Sequence, residues 1–552
     1  MRECSVMIGG KAGEGINTAG LTIASLFNHL GYRVYMYFDY PSLIRGGHNF
    51  AVIRAAEEKI GATRDTFDIL LALDQNCIDR HTEAIRDDTI VVYDSYQVVN
   101  ATGHPIDVDR ILKEENAPQI TKNSAIIGGF CKAAGIAWEI LTDVFKTTVP
   151  EKYLDVNLRV ARRGYDAAPE VIRIEPLGRP TLPVLTGNQA AGLGLVRGGL
   201  DTLVAYPMTP TSNLLHFLAE HADDLSVKVI HPENEIGVML MALGLAYAGN
   251  KTAVCTSGGG FCLMTEGLSL AGMSETPVTI VLGQRPGPST GVPTYTSQAD
   301  LHFVLNAGQG EFPRFVVVPG DLEEMYYWSA VALGLAWKYQ IPSIILTDKT
   351  LAEGGYTFDI DASGAIPELP PVFADGVKPY RRYAATEDGI SPLAFPPEST
   401  APVKANSYAH DEAGFTTEKA ELVAGMQEKV LRKAESLHRE LETFRGVEVA
   451  GVAGAGIALV CWGSEKAACI EAAARFGVKV VRPLIFAPFP VRQWREAMLG
   501  VHRVIAVENN ATGQLARLLR QNGFWVDELV LKYDGRPFSV DELERRLAEV
   551  IG

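Results

Sequence analysis

Four short stretches of the 552-residue chain concentrate side chains able to do chemistry. They are Tyr206-Pro207-Met208-Thr209-Pro210-Thr211-Ser212, His231-Pro232-Glu233-Asn234-Glu235, Thr256-Ser257-Gly258-Gly259-Gly260-Phe261 and Arg285-Pro286-Gly287-Pro288-Ser289-Thr290. Pro207 and Pro210 restrict the backbone around Thr209 just past an apolar, strand-like run. Ligands of parallel α/β sheets collect at the carboxyl ends of strands. The same residues also suit a plain strand-to-helix turn with Thr211 or Ser212 as N-cap. Glu235 opens a nearly all-apolar helix, where its charge suits the helix dipole. A carboxyl carried into apolar surroundings can hold or share a proton near neutrality. Glu233 competes for that role, and periodicity does not separate the two because both helix faces are apolar. The triple glycine lets a ligand approach the backbone and offers N–H groups to an anion. Arg285, with Ser289, Thr290 and Thr294, offers a guanidinium and hydroxyls to a carboxylate or phosphate; the alternative is a surface arginine in a mobile loop.

Near the N-terminus, Gly9-Gly10-Lys11-Ala12-Gly13-Glu14-Gly15 forms another glycine-rich turn. It is not a strict GxGxxG and no Walker Lys-Ser/Thr follows, so close helix–strand packing is weighed slightly ahead of a nucleotide site. Tyr40–Asn49, with Arg45, Gly46, Gly47 and His48, reads as a polar loop in which His48 is structural or at an interface.

The elements that must position these residues alternate in type. Cys4–Gly9, Val34–Phe38, Ile69–Leu73 and Ile90–Tyr93 are expected as strands, and Ile16–Leu30 and Ser124–Leu141 as helices. A second run of expected strands is Thr202–Ala205, Val227–Ile230, Thr252–Thr256, Val278–Leu282, Arg314–Val318 and Ser343–Leu346. Glu418–Thr443 is an amphipathic helix, followed by strands Ile457–Trp462, Val478–Pro483 and Val504–Glu508. Short β-rich runs between helical runs imply parallel sheets covered by helices. The fold class expected is α/β, with three parallel-sheet units: residues 1–180, 184–360 and 416–552. A Pro-, Gly-, Ser- and acid-rich connector covers 361–415.

Composition sets outer bounds. Apolar content of 47% with 21% charged residues is that of a globular chain long enough for several cores. A formal charge of −16 argues against a nucleic-acid binder. No run of about 18 uncharged apolar residues suggests a membrane span. The start runs straight into a strand without a signal-peptide pattern. Seven scattered cysteines without a CxxC pair fit reduced thiols in a cytoplasm, and they are not spaced to hold an iron–sulfur cluster.

Taken together, the stretches resemble the thiamine-diphosphate-dependent 2-oxoacid:ferredoxin oxidoreductases, and specifically an alpha subunit with a gamma-type domain fused at its N-terminus. Tyr206–Pro210 resembles the family's YPITP, with Met208 for Ile. Thr256–Phe261 with Met264-Thr265-Glu266-Gly267 resembles TSGPG-F-LM-EG, with Gly259 for Pro. Arg285–Thr294 matches RPGPSTGLPT. Trp462-Gly463-Ser464, Pro488-Phe489-Pro490, Glu508–Leu515 and Lys532–Phe538 extend the likeness to the C-terminus. The three units would then be a gamma-type domain, a pyrimidine-binding domain and a transketolase-C-like domain.

The resemblance implies that Glu235 hydrogen-bonds the pyrimidine of thiamine diphosphate, with Tyr206, Pro207, Gly258 and Gly259 around the cofactor. Thr209 and Arg285 would hold the substrate, with Ser289, Thr290 and Thr294 in the same loop. Gly10, Gly13, Gly15, Arg45 and Gly46 would belong to a coenzyme A region. The implied reaction is oxidative decarboxylation of a 2-oxoacid, 2-oxoglutarate first and pyruvate or branched-chain acids next, with ferredoxin as electron acceptor. No GDG segment followed by Asn is present, and no metal site is expected in this chain. The resemblance therefore assigns Mg²⁺ and a [4Fe-4S] cluster to a separate beta subunit, in an (alpha-beta)₂ heterotetramer. Two rivals are a non-catalytic assembly or nucleotide-binding scaffold and a self-contained transketolase-like enzyme. The joint presence of Glu235, Thr209 and Arg285 opposes the first, and the missing GDG segment opposes the second.

Overall fold

A computed structural model describes residues 3–42, 47–374, 379–396 and 402–552. They pack as two compact units. One comprises Met1–Thr186, Glu353–Asp359 and Phe538–Arg545, and the other Gly187–Ala352, Ile360–Pro537 and Arg546–Gly552. No described helix is long and apolar enough to cross a membrane.

The first unit is built on an eight-stranded sheet. Its order is His104–Ile106, Ile90–Asp94, Ile69–Ala72, Glu3–Lys11, His48–Ala56, Arg33–Asp39, Gly355–Thr357 and Val184–Thr186. The first four strands run parallel, as βα alternation requires. The remaining neighbours are antiparallel. His48–Ala56, read from sequence as partly loop, pairs along its whole length with Glu3–Lys11. It returns from Arg33–Asp39 through a connection too short for a parallel crossover. His48 therefore opens a strand. Its Nε2 lies 2.9 Å from His81 Nε2, and the two rings pack among Phe50 and Phe67. The helix expected over Ser124–Leu141 is two helices, Lys122–Ala133 and Trp138–Thr148. Gly135, at φ 65°, ends the first, and only glycine adopts that conformation cheaply.

In the second unit a seven-stranded sheet runs Ile485–Ala487, Phe315–Val317, Pro342–Asp348, Val278–Gln284, Thr252–Ser257, Thr202–Ala205 and Lys228–Ile230. All pairs are parallel except the one made by Ile485–Ala487. The central strands are buried from end to end, which is why they read as continuous apolar runs rather than alternating ones. Each buried Val, Ile or Leu contributes about 1.5–3 kcal/mol by leaving water. Cys255 pairs with Ala205, Ser257 with Gly283, and Gln284 with Asp348. The loops after these strands thus leave the same edge of the sheet side by side. A five-stranded sheet from Val447–Gly451, Lys479–Pro483, Ile457–Val460, Arg503–Glu508 and Glu528–Leu531 completes this unit. One hydrophobic core is continuous through both of its sheets.

A buried charge cluster closes the far end of helix Gly258–Ser274. Glu275, 4% exposed, receives Lys429 Nζ at 2.6 Å and also the Nζ of Lys433, both carried on helix Ala420–Leu441. Arg382 Nη2 donates to the Glu275 main-chain carbonyl at 2.6 Å. Burial alone would raise the Glu275 carboxyl, but Lys433, Lys429 and Arg382 hold it well below the usual carboxylate range. Burial pushes Lys433 down to about 8 in spite of Glu275. Removing one member of such a set leaves the others buried without a counter-charge, which costs about 3–5 kcal/mol. Glu275→Gln is therefore expected to lower the urea midpoint of the second unit by that equivalent, while Glu266→Gln, an isosteric change outside the cluster, leaves it within about 0.5 kcal/mol.

Candidate active site

Level strand ends bring three of the four stretches to one place. After strand Thr202–Ala205 the chain passes through Tyr206 and Pro207 to a cis Thr209-Pro210 peptide. The turn closes on itself, with Thr211 N–H and Oγ1 both donating to the Met208 carbonyl at 2.9 and 3.1 Å. Asn188 Nδ2 holds the Pro210 carbonyl at 2.9 Å. On the neighbouring strand Gly283 must be glycine, because an added Cβ would stand 2.6 Å from Pro210 Cγ. Tyr206 meets His231 edge to face, with ring centroids 5.8 Å apart.

Glu235 is the first residue of helix Glu235–Tyr247, and Asn234 caps that helix by accepting from Gly237 N–H at 3.0 Å. With Asn234 in the capping role, Glu235 is turned inward and is 6% exposed, whereas Glu233 is exposed to solvent. Packing thus separates two acids that periodicity could not, turning Glu235 inward and leaving Glu233 in solvent. The Glu235 side chain lies against the glycine turn. A Cβ added at Gly260 would stand 2.8 Å from Glu235 Oε1 and 2.1 Å from Thr256 Oγ1. Thr256 Oγ1 and Ser257 Oγ are buried without a hydrogen-bond partner among the described residues. Such orphaned hydroxyls cost free energy unless a ligand meets them.

Arg285 leaves the end of strand Val278–Gln284, half-buried. Its Nη1 donates to the Thr209 carbonyl at 3.0 Å, while its Nε is buried and unmatched. Burial lowers its guanidinium from the ordinary value, and Asp300 opposes that. The loop beyond holds a cis Gly287-Pro288 bond, and Ser289 is at φ 56°. Ser289 and Thr290 are exposed at its tip, whereas Thr294 is buried with an unmatched Oγ1. Gly259 faces the Ser289 carbonyl and Met208 Cε at 3.5 and 3.9 Å from an ideal Cβ, so the three loops meet around it.

C-terminal motifs support this loop from behind. Thr296 N–H donates to the Gly535 carbonyl at 3.0 Å, and Arg536 stacks on Tyr295 at 3.7 Å. Gln298 and Asn509 exchange backbone and side-chain bonds at 2.7 and 3.0 Å. Glu508 is fully buried, and its carboxylate accepts from Trp462 Nε1, Asn510 Nδ2, Leu515 N–H and Ala516 N–H, all within 3.1 Å. It thereby caps helix Gln514–Gln521 from inside the core, so this stretch is structural.

In the first unit, the glycine turn holding Gly10, Gly13 and Gly15 is closed by its own acid. Glu14 Oε2 accepts from Lys11 N–H at 3.0 Å, and Oε1 pairs with Lys122 Nζ at 2.5 Å. Gly13 and Gly15 take φ of 87° and 72°, which glycine alone accepts without strain. Arg45 and Gly46 lie outside the described residues.

Comparison with known proteins places this geometry. Residues 194–429 match the family described as pyruvate flavodoxin/ferredoxin oxidoreductase, thiamine diP-bdg, and residues 5–167 match pyruvate ferredoxin/flavodoxin oxidoreductase. The 2-oxoacid:ferredoxin oxidoreductase subunit alpha of Saccharolobus solfataricus is 31% identical, over 99% of this chain and 98% of that one. The 2-oxoglutarate oxidoreductase subunit KorA of Mycobacterium tuberculosis is 32% identical over 66% of this chain and 54% of its own. A solved 2-oxoglutarate:ferredoxin oxidoreductase from Magnetococcus marinus, with 2-oxoglutarate, coenzyme A and succinyl-CoA bound, superposes with a TM-score of 0.91 at 30% identity, covering 100% of both chains.

The chain belongs to the 2-oxoacid:ferredoxin oxidoreductase alpha subunits.

Two residues of this alpha subunit that frame the site, Gly283 and Asp300, were not among the candidates read from sequence, and the need for glycine at 260 and 283 rests on contacts with Glu235 and Pro210, far along the chain. Asp300 is the main omission. Its carboxylate lies against Gly258, where an added Cβ would stand 2.4 Å from Oδ2, and burial pushes the Asp300 carboxyl up to about 6 against the pull of Arg285. A single acid beside an unremarkable Gln-Ala carries no sequence signal.

In the oxidoreductase, Gly260→Ala is expected to displace Glu235 and lower kcat by about 100-fold, whereas Gly425→Ala on helix Ala420–Leu441, whose Cβ would meet nothing within 4 Å, stays within about threefold. Steady-state turnover of the assembled enzyme, alongside thermal unfolding of each variant, checks the pair.

Proposed function

We propose that this alpha subunit carries the thiamine-activating and substrate-holding half of an enzyme that oxidatively decarboxylates 2-oxoglutarate with coenzyme A, yielding acyl-CoA, CO₂ and reduced ferredoxin. The observation that carries the reading is the buried Glu235 carboxylate on the Gly258–Gly260 turn, beside the loops of Thr209 and Arg285. The residues fit thiamine diphosphate: a glycine turn open to a flat ring, an inward acid and two unmatched buried hydroxyls, Thr256 Oγ1 and Ser257 Oγ. Glu235 would face the pyrimidine, with Tyr206, Pro207, Gly258 and Gly259 around it. Bound there, thiamine diphosphate supplies the electron sink for decarboxylation.

Within that frame the chain's own residues have separable tasks. Glu235 holds or yields a proton at a ring nitrogen, in a place shielded from water. Arg285, anchored on the Thr209 carbonyl, meets the 2-oxoacid carboxylate with its remaining N–H groups. Thr209 faces the oxo group, and Thr294 backs the loop. Ser289 and Thr290, exposed at the loop tip, are candidates for contact with substrate or partner. We assign residues 184–360 to the pyrimidine side of the site, 416–552 to its structural support, and 1–180, with Gly10, Gly13 and Gly15, to coenzyme A. The choice of 2-oxoglutarate is supported by the M. marinus relative, in which that acid is bound.

A beta subunit would bring Mg²⁺, the diphosphate grip and a [4Fe-4S] cluster, pass electrons to ferredoxin and form an (alpha-beta)₂ assembly in the cytoplasm. What supports a partner here is the outer face of the Glu235 helix. Ile236, Leu240 and Met241 are 46%, 47% and 48% exposed, a continuous apolar surface of the kind that partners cover.

Co-expression with the neighbouring beta chain and anaerobic, coenzyme-A-dependent viologen reduction tests the reading. Turnover with 2-oxoglutarate is expected only when both chains are present. Glu235→Gln should lose at least ~100-fold in kcat with assembly intact, and Arg285→Ala should raise KM for the 2-oxoacid by about 10- to 100-fold and lower kcat. Near-normal turnover of Glu235→Gln would sink the assignment.

A further inference from the structure

Asp300 occupies the N-cap position of the short helix Leu301–Asn306, yet its side chain caps nothing there. Its main-chain N–H is held by Gln284 Oε1 at 2.9 Å, which orients the residue. The carboxylate turns instead onto the Gly258 turn, and all three of its terminal atoms would lie within 2.8 Å of a Cβ at that position. The Gln284 bond ties Asp300 to the residue preceding Arg285 at the end of the adjoining strand, and the guanidinium pulls the Asp300 carboxyl down against its burial. Arg285 in turn has one N–H on the Thr209 carbonyl and a buried Nε without an acceptor. Three other ionisable groups lie nearby: Glu235, against the same turn at Gly260; the buried Asp348, opposite Gln284 on the next strand and accepting from Ser464 Oγ at 2.7 Å; and His302, on the Asp300 helix, which holds the Gln514 carbonyl at 3.0 Å. A partly buried acid and a partly buried base thus stand on neighbouring strand-end segments beside the glycine turn, without an ion-pair contact between them.

We propose that Asp300 is the resident counter-ion of Arg285: ionised while the site is empty, and taking a proton from solvent when a 2-oxoacid carboxylate arrives at Arg285. This rests on the reading above, in which Arg285 receives the substrate carboxylate. Two anions before one half-buried cation repel, and one of them must neutralise. A 2-oxo carboxylate is the stronger acid, so the proton goes to Asp300, whose carboxyl already sits near 6 through burial. When the carboxylate leaves as CO₂, the repulsion ends and Asp300 returns the proton to solvent. Asp300 is then a positioning residue: it keeps Arg285 compensated in the empty site and frees it on binding.

Linkage sets the sign. Below about pH 6 the proton is already on Asp300, and the 2-oxoacid meets an uncompensated guanidinium. As pH rises through that value each binding event must bring a proton, so KM climbs, by at most tenfold per pH unit. Asp300→Asn is neutral at every pH, and its KM should be flat and up to about 100-fold below wild type at pH 8.

The decisive experiment uses the assembled complex arrested by Glu235→Gln. 2-Oxoglutarate is titrated by calorimetry at pH 7 in buffers of differing ionisation enthalpy. Uptake of nearly one proton per site is expected, because a carboxyl near 6 is about nine-tenths ionised at pH 7, falling to near zero in Glu235→Gln/Asp300→Asn. Equal uptake in the two complexes, or superimposable KM–pH profiles in the active enzymes, would overturn the counter-ion role. Arg285→Ala keeps the two levels apart. If it binds 2-oxoglutarate as tightly as wild type, the substrate-carboxylate reading fails. If it weakens binding while Asp300→Asn changes nothing, the counter-ion role alone fails.

Discussion

Parallel strands in register end together, and in the second unit that simple geometry governs what chemistry is possible. Cys255 opposite Ala205, Ser257 opposite Gly283 and Gln284 opposite Asp348 bring the ends of four strands to a common edge. A slip of one residue would send each side chain to the opposite face of the sheet, so the close fit of Gly283 against Pro210 depends on this register. The loops inherit that placement. Close approach then becomes the second constraint. Gly258, Gly260 and Gly283 each stand where a methyl group would strike Asp300, Thr256 and Glu235, or Pro210. The missing side chains are the space in which the acids and the proline turn sit.

Groups that hold charge away from water need a rigid surround, and this unit supplies it by satisfying its largest buried charges outside the site. Glu508 collects four donors. Glu275 is matched by two lysines and flanked by Arg382. Gln298 and Asn509 bond to one another across the two sheets of the unit. Among the buried hydroxyls left unmatched in this unit, those of Thr256 and Ser257 adjoin the Gly258–Gly260 turn. Polar groups left unsatisfied together at the ends of parallel strands mark a place for a ligand, because their desolvation is uncompensated without one.

Much of the site was readable before any fold was known. The Thr209, Glu235, Gly258–Gly260 and Arg285 segments could be picked out from residue type and from the expectation that parallel strands deliver ligands to their carboxyl ends. Reading them as one site drew on a family likeness that the relatives then supported. Glu233 against Glu235 could not be decided, since an apolar helix has no polar face to orient it; Asn234 as cap and the close fit of Glu235 against Gly260 made the choice. Asp300 was illegible for a different reason. Nothing local marks it, and its meaning comes from Gly258 and Arg285, 42 and 15 residues earlier in the chain. The antiparallel strand His48–Ala56 was missed because its first residues are polar and its partner, Glu3–Lys11, is far away in sequence.

By itself the sequence determined the α/β class, the apolar strands, the glycine turns and the residue types at the strand ends. These follow from local physics: burial of β-branched runs, the backbone freedom of glycine and the fixed angles of proline. Tertiary structure decided which acid faces inward, which hydroxyls are left unmatched, that Glu508 is a buried cap, and that Asp300 lies against Gly258. Such facts depend on distances between residues far apart in the chain. Only the level ends of the parallel strands, and the side-chain contacts across them, set those distances.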